Sequence, residues 1–236
     1  MNLLFLAKAQ FPFVRWAEPH LAALAIILLI GVAIFVWGHR GNELHRQRLC
    51  HGVAYFLIGE MVLEFGWRWS TLHYGSLAEN LPLHFCSVMM IVAAIALRWQ
   101  WNWACALVYF GVLTASIQAL VTPAMADGYP SPIYYFFFAS HGALLWAAIA
   151  VLGVLRWKPQ RGDALRSLLL MDAYLLCAIP LNTWLGTNYG FTQESPVPGC
   201  ILDYLGSAPW YYLWLQLPAL AIFCFMARLL NYRIHK

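Results

Sequence analysis

Seven stretches of this chain, near residues 20–37, 49–66, 81–97, 102–121, 133–155, 165–185 and 209–230, are long and apolar enough to cross a bilayer. A helix needs about 20 mostly apolar residues to pass through the hydrocarbon core. With no water there, every backbone polar group must be satisfied internally, so only helices and closed barrels can span it. A barrel would show short segments of alternating polarity, whereas runs such as HLAALAIILLIGVAIFVWG are apolar without interruption. Charged residues make up 10% of the chain and hydrophobic residues 62%, against about a quarter charged in a soluble domain. The expected fold is therefore an all-α membrane protein, a seven-transmembrane-helix bundle over residues 20–230, in a single transmembrane domain spanning 1–236.

Of the 14 Lys and Arg residues, all but Lys8, Arg15 and Arg68 fall in connections on one side. Cytoplasmic loops are the ones enriched in these residues, which places the N-terminus outside and the C-terminus inside. The net charge of +4 is thus a topology signal. Spread over separate loops, it forms no stripe for nucleic acid, which is excluded as a partner. The expected location is a cell membrane of the bacterial inner-membrane kind, crossed several times. Residues 1–19, MNLLFLAKAQFPFVRWAEP, mix Leu and Phe with Lys8, Arg15 and Trp16 and are broken by Pro12; they read as an interfacial segment on the outer surface. Cys86 and Cys200 both fall toward the oxidising side, and the sequence leaves open whether they form a disulfide.

The polar residues inside the spans carry the chemistry. Glu60, Glu64 and Arg68 recur at intervals of four on helix two and share one face. A carboxylate in hydrocarbon costs roughly 2.5–3.5 kcal/mol on insertion scales, so these groups need partners. Helix three opens with ENLPLHFCSVMM, where Asn80 is the expected N-cap and Pro82 fits the first turn. That start puts His84 and Cys86 one to two turns into the helix on different sides, so a base for the thiol must come from another helix. Helix four places Thr114, Gln118 and Thr122 on one stripe. His141 of helix five lies roughly 13 Å along its axis from the outer end. Helix six carries Asp172, to which no role attaches. Further along, Pro180 predicts a kink near Asn182 and an irregular outer end through Gly186, Asn188, Tyr189 and Gly190. The loop 187–208 is placed to cover the outer mouth, and Trp210, Tyr211 and Tyr212 fall at the height of an aromatic belt.

Glu60, His84, Cys86, Gln118, His141 and Asn182 come from five helices, yet all map to the outer half of the bilayer. A thiol is the only strong nucleophile among them, and at an ordinary pKa of about 8.5 it needs a base or a positive potential to ionise. The start of helix three supplies some potential. His141 is the expected base, and Asn182, Gln118 or His84 would donate to the oxyanion of an acyl transfer. No short ligand spacing for a metal is present and no cofactor is implied.

Five segments in order, LPLHFCS at 81–87, GVLTASIQALVTP at 111–123, YYFFFASHG at 134–142, LNTWLGTNY at 181–189 and LGSAPWYY at 205–212, resemble the YwaF-like integral membrane proteins, the family of eukaryotic transmembrane protein 164. The resemblance runs from about residue 50 to 230. It implies a seven-helix fold and, from the eukaryotic branch, an acyltransferase that remodels phospholipids through the cysteine matched by Cys86, with the histidine matched by His141 as partner. Ala208 stands where the family usually has a tryptophan. The catalytic residues are then Cys86 and His141. His84, Gln118, Asn182, Asn188, Tyr189 and Glu60 bind substrate or oxyanion, and the partners are a membrane phospholipid or lysophospholipid and the bilayer itself. Since acyl-CoA is absent from the outer leaflet, the donor would be another phospholipid and the reaction a transacylation. Two alternatives stay open: a lipid hydrolase using the same residues, and a non-enzymatic lipid- or solute-binding or transport protein built on Glu60, Glu64 and the broken end of helix six.

Overall fold

The computed structural model describes residues 11–72, 74–196 and 201–232, and of these it leaves aside the side chains of 201, 231 and 232. Seven helices are long and apolar enough to cross a membrane. They are α1 (Glu18–Arg40), α2 (Glu43–Thr71), α3 (Phe85–Trp99), α4 (Asn102–Val121), α5 (Pro132–Val154), α6 (Asp163–Leu185) and α7 (Tyr211–Tyr232), with a 3-10 turn, Ala78–Asn80, leading into the third span. Their positions match the apolar stretches of the sequence. The largest extension, at the start of α2, has a local cause: the Asn42 Oδ1 accepts the His45 N–H at 2.9 Å, and the Gln47 amide reaches Glu43 at 3.0 Å. Capping and paired polar side chains carry this helix beyond its apolar part.

The start of α3 differs from the expectation. The helix begins at Phe85, and Asn80 is not its N-cap. Leu81 is extended, with φ −78 and ψ 149, because the residue before a proline is forced out of the α region, and Pro82 follows it. The carbonyls released by this stretch are met by side chains instead: the Trp69 indole N–H donates to Asn80 O at 2.9 Å, and the Tyr174 hydroxyl to Leu83 O at 2.8 Å.

The described residues group into two compact units, one within 11–64 and 89–157 and one within 65–88 and 158–232. In the first, α5 packs against both α1 and α4. Small residues permit the approach, as is usual for helices in lipid. A methyl group added to Gly38 would lie 2.3 Å from Val154 Cγ2, and one added to Gly142 would lie 2.8 Å from Ile27 Cγ1. α4 and α5 each contain a π turn, Val108–Val112 and Ala150–Val154, and the two turns lie against one another in the interior. Outside α1, Phe13 N–H donates to Ala126 O at 2.8 Å and Pro12 forms an isolated bridge with Asp127.

The contact at Gly38 gives a direct test. Val154 is β-branched and stiff at χ1, so it cannot swing away from a new methyl group. Gly38→Ala is expected to cost about 1–3 kcal/mol by overpacking, read as a lower Tm in detergent. Adding Val154→Ala to the same chain should restore part of that loss.

In the second unit, α6 stays helical past Pro180 to Leu185 and ends at Gly186, whose φ of +67 is left-handed and favours glycine. The irregular backbone therefore begins after Leu185, four residues beyond Asn182 counted to Gly186. α7 packs on α6. Between them the Gln216 amide donates to Asp172 Oδ1 at 2.9 Å, which gives Asp172 an interhelical partner that sequence alone did not supply.

Candidate active site

Cys86 is the second residue of α3 and half-buried. The first main-chain bond of that helix runs from Val88 N–H to His84 O at 3.1 Å, so the thiol sits in the first turn rather than one to two turns in. There the backbone N–H groups of the helix start are not used by the helix itself, and the macrodipole favours negative charge. His84, immediately outside, meets Tyr189 edge-on with ring centroids 4.9 Å apart and Phe191 at 5.9 Å. Phe85 packs on Tyr174 at 5.4 Å.

The loop after α6 is built around Asn182, which is 1% exposed. Its Nδ2 donates to Tyr189 O and to Thr192 Oγ1, each at 2.7 Å. Its Oδ1 accepts the Thr187 hydroxyl and the Tyr189 N–H, each at 2.8 Å. An amide has two protons and two lone pairs, so this side chain is fully committed within the loop. Asn188 is likewise engaged, its Oδ1 accepting Gln193 N–H at 2.9 Å and its Nδ2 donating to Glu194 O at 2.9 Å. The Tyr189 hydroxyl donates to Ala78 O. Burial pushes this phenol above its usual pKa, which keeps it a donor at neutral pH. Gly190, at φ +63, comes close to α6: an added methyl group would lie 3.0 Å from Tyr174 Cε1 and 3.3 Å from Leu175 Cδ2.

The LGSAPWYY segment divides by role. Trp210 is exposed, in keeping with a belt position, but Tyr211 is buried and donates to Phe191 O, while half-buried Tyr212 donates to Gly190 O. These two phenols fasten the loop to α7. Tyr174 fastens it to α6 and, through Leu83, to the chain leading into α3. The sequence pointed to neither role. The one signal for Tyr174 was a phenol set among leucines two residues after Asp172.

The other sequence-derived residues belong to the first unit. His141 is 8% exposed on α5. Its Nδ1 lies 2.9 Å from Phe137 O and 3.4 Å from Ser140 Oγ, and its ring stacks on Phe137 at 4.2 Å. A carbonyl can only accept, so Nδ1 carries the proton and the neutral ring has its lone pair on Nε2. Glu60 and Glu64 are buried on α2. Gln118 is exposed on α4 beside Ile117 and Val121, and the Thr114 and Thr122 hydroxyls bond back to Phe110 O at 2.7 Å and Gln118 O at 2.9 Å. The second unit thus brings together His84, Cys86, Asn182, Asn188 and Tyr189, and the first holds Glu60, Gln118 and His141. Cys200 lies outside the described residues, as do residues 1–10 of the N-terminal segment. Among the described residues, no group of three His, Cys, Asp or Glu side chains is arranged to hold a metal ion.

No curated protein and no solved structure matches the chain. The family model described as the TMEM164 family matches residues 15–227, which takes in all seven spans except the last residues of α7. By that match, the chain belongs to the TMEM164 family, a seven-span membrane protein among its members.

Proposed function

We propose that this protein is a membrane-embedded acyltransferase that moves a fatty acyl chain between phospholipids, with Cys86 as nucleophile and His141 as base. The observation that carries the reading is the place of Cys86, half-buried in the first turn of α3, where the helix dipole favours the negative charge that develops in acyl transfer. The family resemblance in LPLHFCS and YYFFFASHG supports it.

His141 takes the proton of the Cys86 thiol, and the thiolate attacks the ester carbonyl of a donor phospholipid. The oxyanion is stabilised by the positive end of the α3 dipole rather than by Asn182, whose amide has no proton to spare. The ester C–O bond breaks, the leaving lysophospholipid oxygen takes a proton from the His141 imidazolium, and a thioester remains on Cys86. His141 then removes the hydroxyl proton of an acceptor lysophospholipid, which attacks the thioester and releases the thiol. His84 and Tyr189, whose rings meet just ahead of α3, are assigned to the substrate, and Glu60, Gln118 and Asn188 to the lipid headgroups. The Lys and Arg distribution supports a site open to the outer leaflet and a phospholipid donor.

The test uses the purified protein in phosphatidylcholine nanodiscs. Intact-mass analysis should find an acyl adduct on Cys86 that hydroxylamine removes and that added lysophospholipid discharges into a new diacyl lipid. Release of free fatty acid without a new ester would make it a hydrolase. Absence of both adduct and transfer would end the enzymatic reading.

A further inference from the structure

The turn joining α1 to α2, within the first unit, is shaped by a few local bonds. α1 closes with the Gly41 N–H on Trp37 O at 3.0 Å, and α2 opens with the Asn42 Oδ1 accepting the His45 N–H at 2.9 Å. Arg46 reaches back to α1, its Nε 3.3 Å from Gly38 O, while its Nη1 lies 3.8 Å from Glu43 Oε2. Glu43 also accepts from Gln47, so its carboxylate is taken up along α2. Between the two helix ends lies an open recess of about 610 Å³, lined by Trp37, Arg40, Gly41, Asn42 and His45. The His45 ring lies over Gly41, where an added methyl group would collide with it, so the missing side chain is what lets the ring lie there.

The polar groups of this recess are matched to an acceptor. Arg40 carries five N–H protons and Trp37 one, and among the described residues neither meets an acceptor. Asn42 spends its Oδ1 on His45, which leaves its two amide protons. No carboxylate lines the space. Along 37–48 three arginines, Arg40, Arg46 and Arg48, stand against one carboxylate, Glu43. A phosphate group suits such a place, since its oxygens only accept and a guanidinium binds them as a fork. Two features assign that phosphate to a lipid rather than to the aqueous phase. The recess lies at the ends of two membrane spans, and Trp37, 63% exposed and three residues before Arg40, is of the type that marks the headgroup level. A choline or ethanolamine cation would find no carboxylate there, so a headgroup of net negative charge fits best.

We propose that this recess binds an acidic phospholipid, whose phosphate is anchored by Arg40 with the Asn42 amide and the Trp37 indole N–H beside it. Charge spread over the whole face would attract acidic lipids diffusely, to a similar degree through each arginine. The recess instead predicts one bound lipid, held through Arg40. The site uses none of the residues assigned to acyl transfer, and its test needs no turnover.

Native mass spectrometry of the whole chain in detergent, titrated with phosphatidylglycerol or phosphatidylcholine, provides that test. One phosphatidylglycerol should bind more tightly than phosphatidylcholine by about fivefold or more, and Arg40→Gln should weaken it by about fivefold, the scale of one arginine at an anionic lipid surface. Phosphatidylcholine binding should not change. Arg40 is exposed, so this variant is expected to keep the parental Tm. Trp37→Phe, which keeps an aromatic ring and removes the indole N–H, should weaken phosphatidylglycerol by about twofold or more. Arg48→Gln removes the same charge outside the recess and should leave both lipids as they were. Equal affinity for the two lipids overturns the site, and so do equal losses in Arg40→Gln and Arg48→Gln, because the face would then act through its total charge. Inorganic phosphate at millimolar concentration should leave the lipid bound; displacement would give the recess to a soluble phosphate and overturn the lipid assignment.

Discussion

Replacement of Cys86 by serine is expected to reduce acyl transfer by about a thousandfold or more, while insertion and Tm stay near those of the parent. The substitution is close to isosteric, and serine is well accepted at helix starts, so little structural cost is expected at the second residue of α3. What changes is the nucleophile: a serine hydroxyl is a far weaker one than a cysteine thiol. His141→Asn should reduce transfer by about 100-fold to 10,000-fold, the usual range for a lost acid–base group. Asparagine is chosen because its amide can still donate to Phe137 O, as Nδ1 does, so the ring's structural bond is replaced while its base is removed. Combined, the two changes should cost no more than the larger of them, since residues acting in one step are not additive. Full transfer in either single variant, assayed with labelled phospholipid in nanodiscs, would dispose of the Cys86 and His141 mechanism.

The spans themselves were legible in the sequence because a single quantity, apolar length, decides them. The start of α3 was not, although its cause is local. The Asn80 and Pro82 pattern suits a capped helix, but the same proline also excludes Leu81 from helical backbone, and here the second effect prevails because Trp69 and Tyr174 satisfy the freed carbonyls. Those donors lie 11 and 91 residues away in sequence, beyond any local rule. Asp172 and Asn182 show the same limit from another side. Composition marks both as polar groups in apolar surroundings that need partners. Which partners they take, Gln216 for one and the 187–192 loop for the other, depends on tertiary packing.

Asn182→Ala should destabilise the protein by about 3–5 kcal/mol. The change strips partners from Tyr189 N–H, Tyr189 O, Thr187 Oγ1 and Thr192 Oγ1 in a buried loop. Each such orphaned group costs about 1–3 kcal/mol when water cannot replace the bond, and partial relaxation of the loop keeps the total below the sum. Thr192→Val offers a smaller step on the same scale. It leaves one Asn182 proton without an acceptor, so about 1–2 kcal/mol is expected. Melting in detergent gives the order of the two, and hydrogen exchange over residues 186–192 locates the damage. The consequence extends to the thiol. Tyr189 packs against His84, and Gly190 lies against Tyr174, whose hydroxyl holds Leu83 just ahead of α3. A loosened loop therefore frees the start of the helix that bears Cys86, and Asn182→Ala should lose transfer activity even at temperatures where it remains folded. A protein with parental Tm and parental protection after this substitution would mean that the loop is held by Tyr211 and Tyr212 alone, and that Asn182 is available to substrate after all.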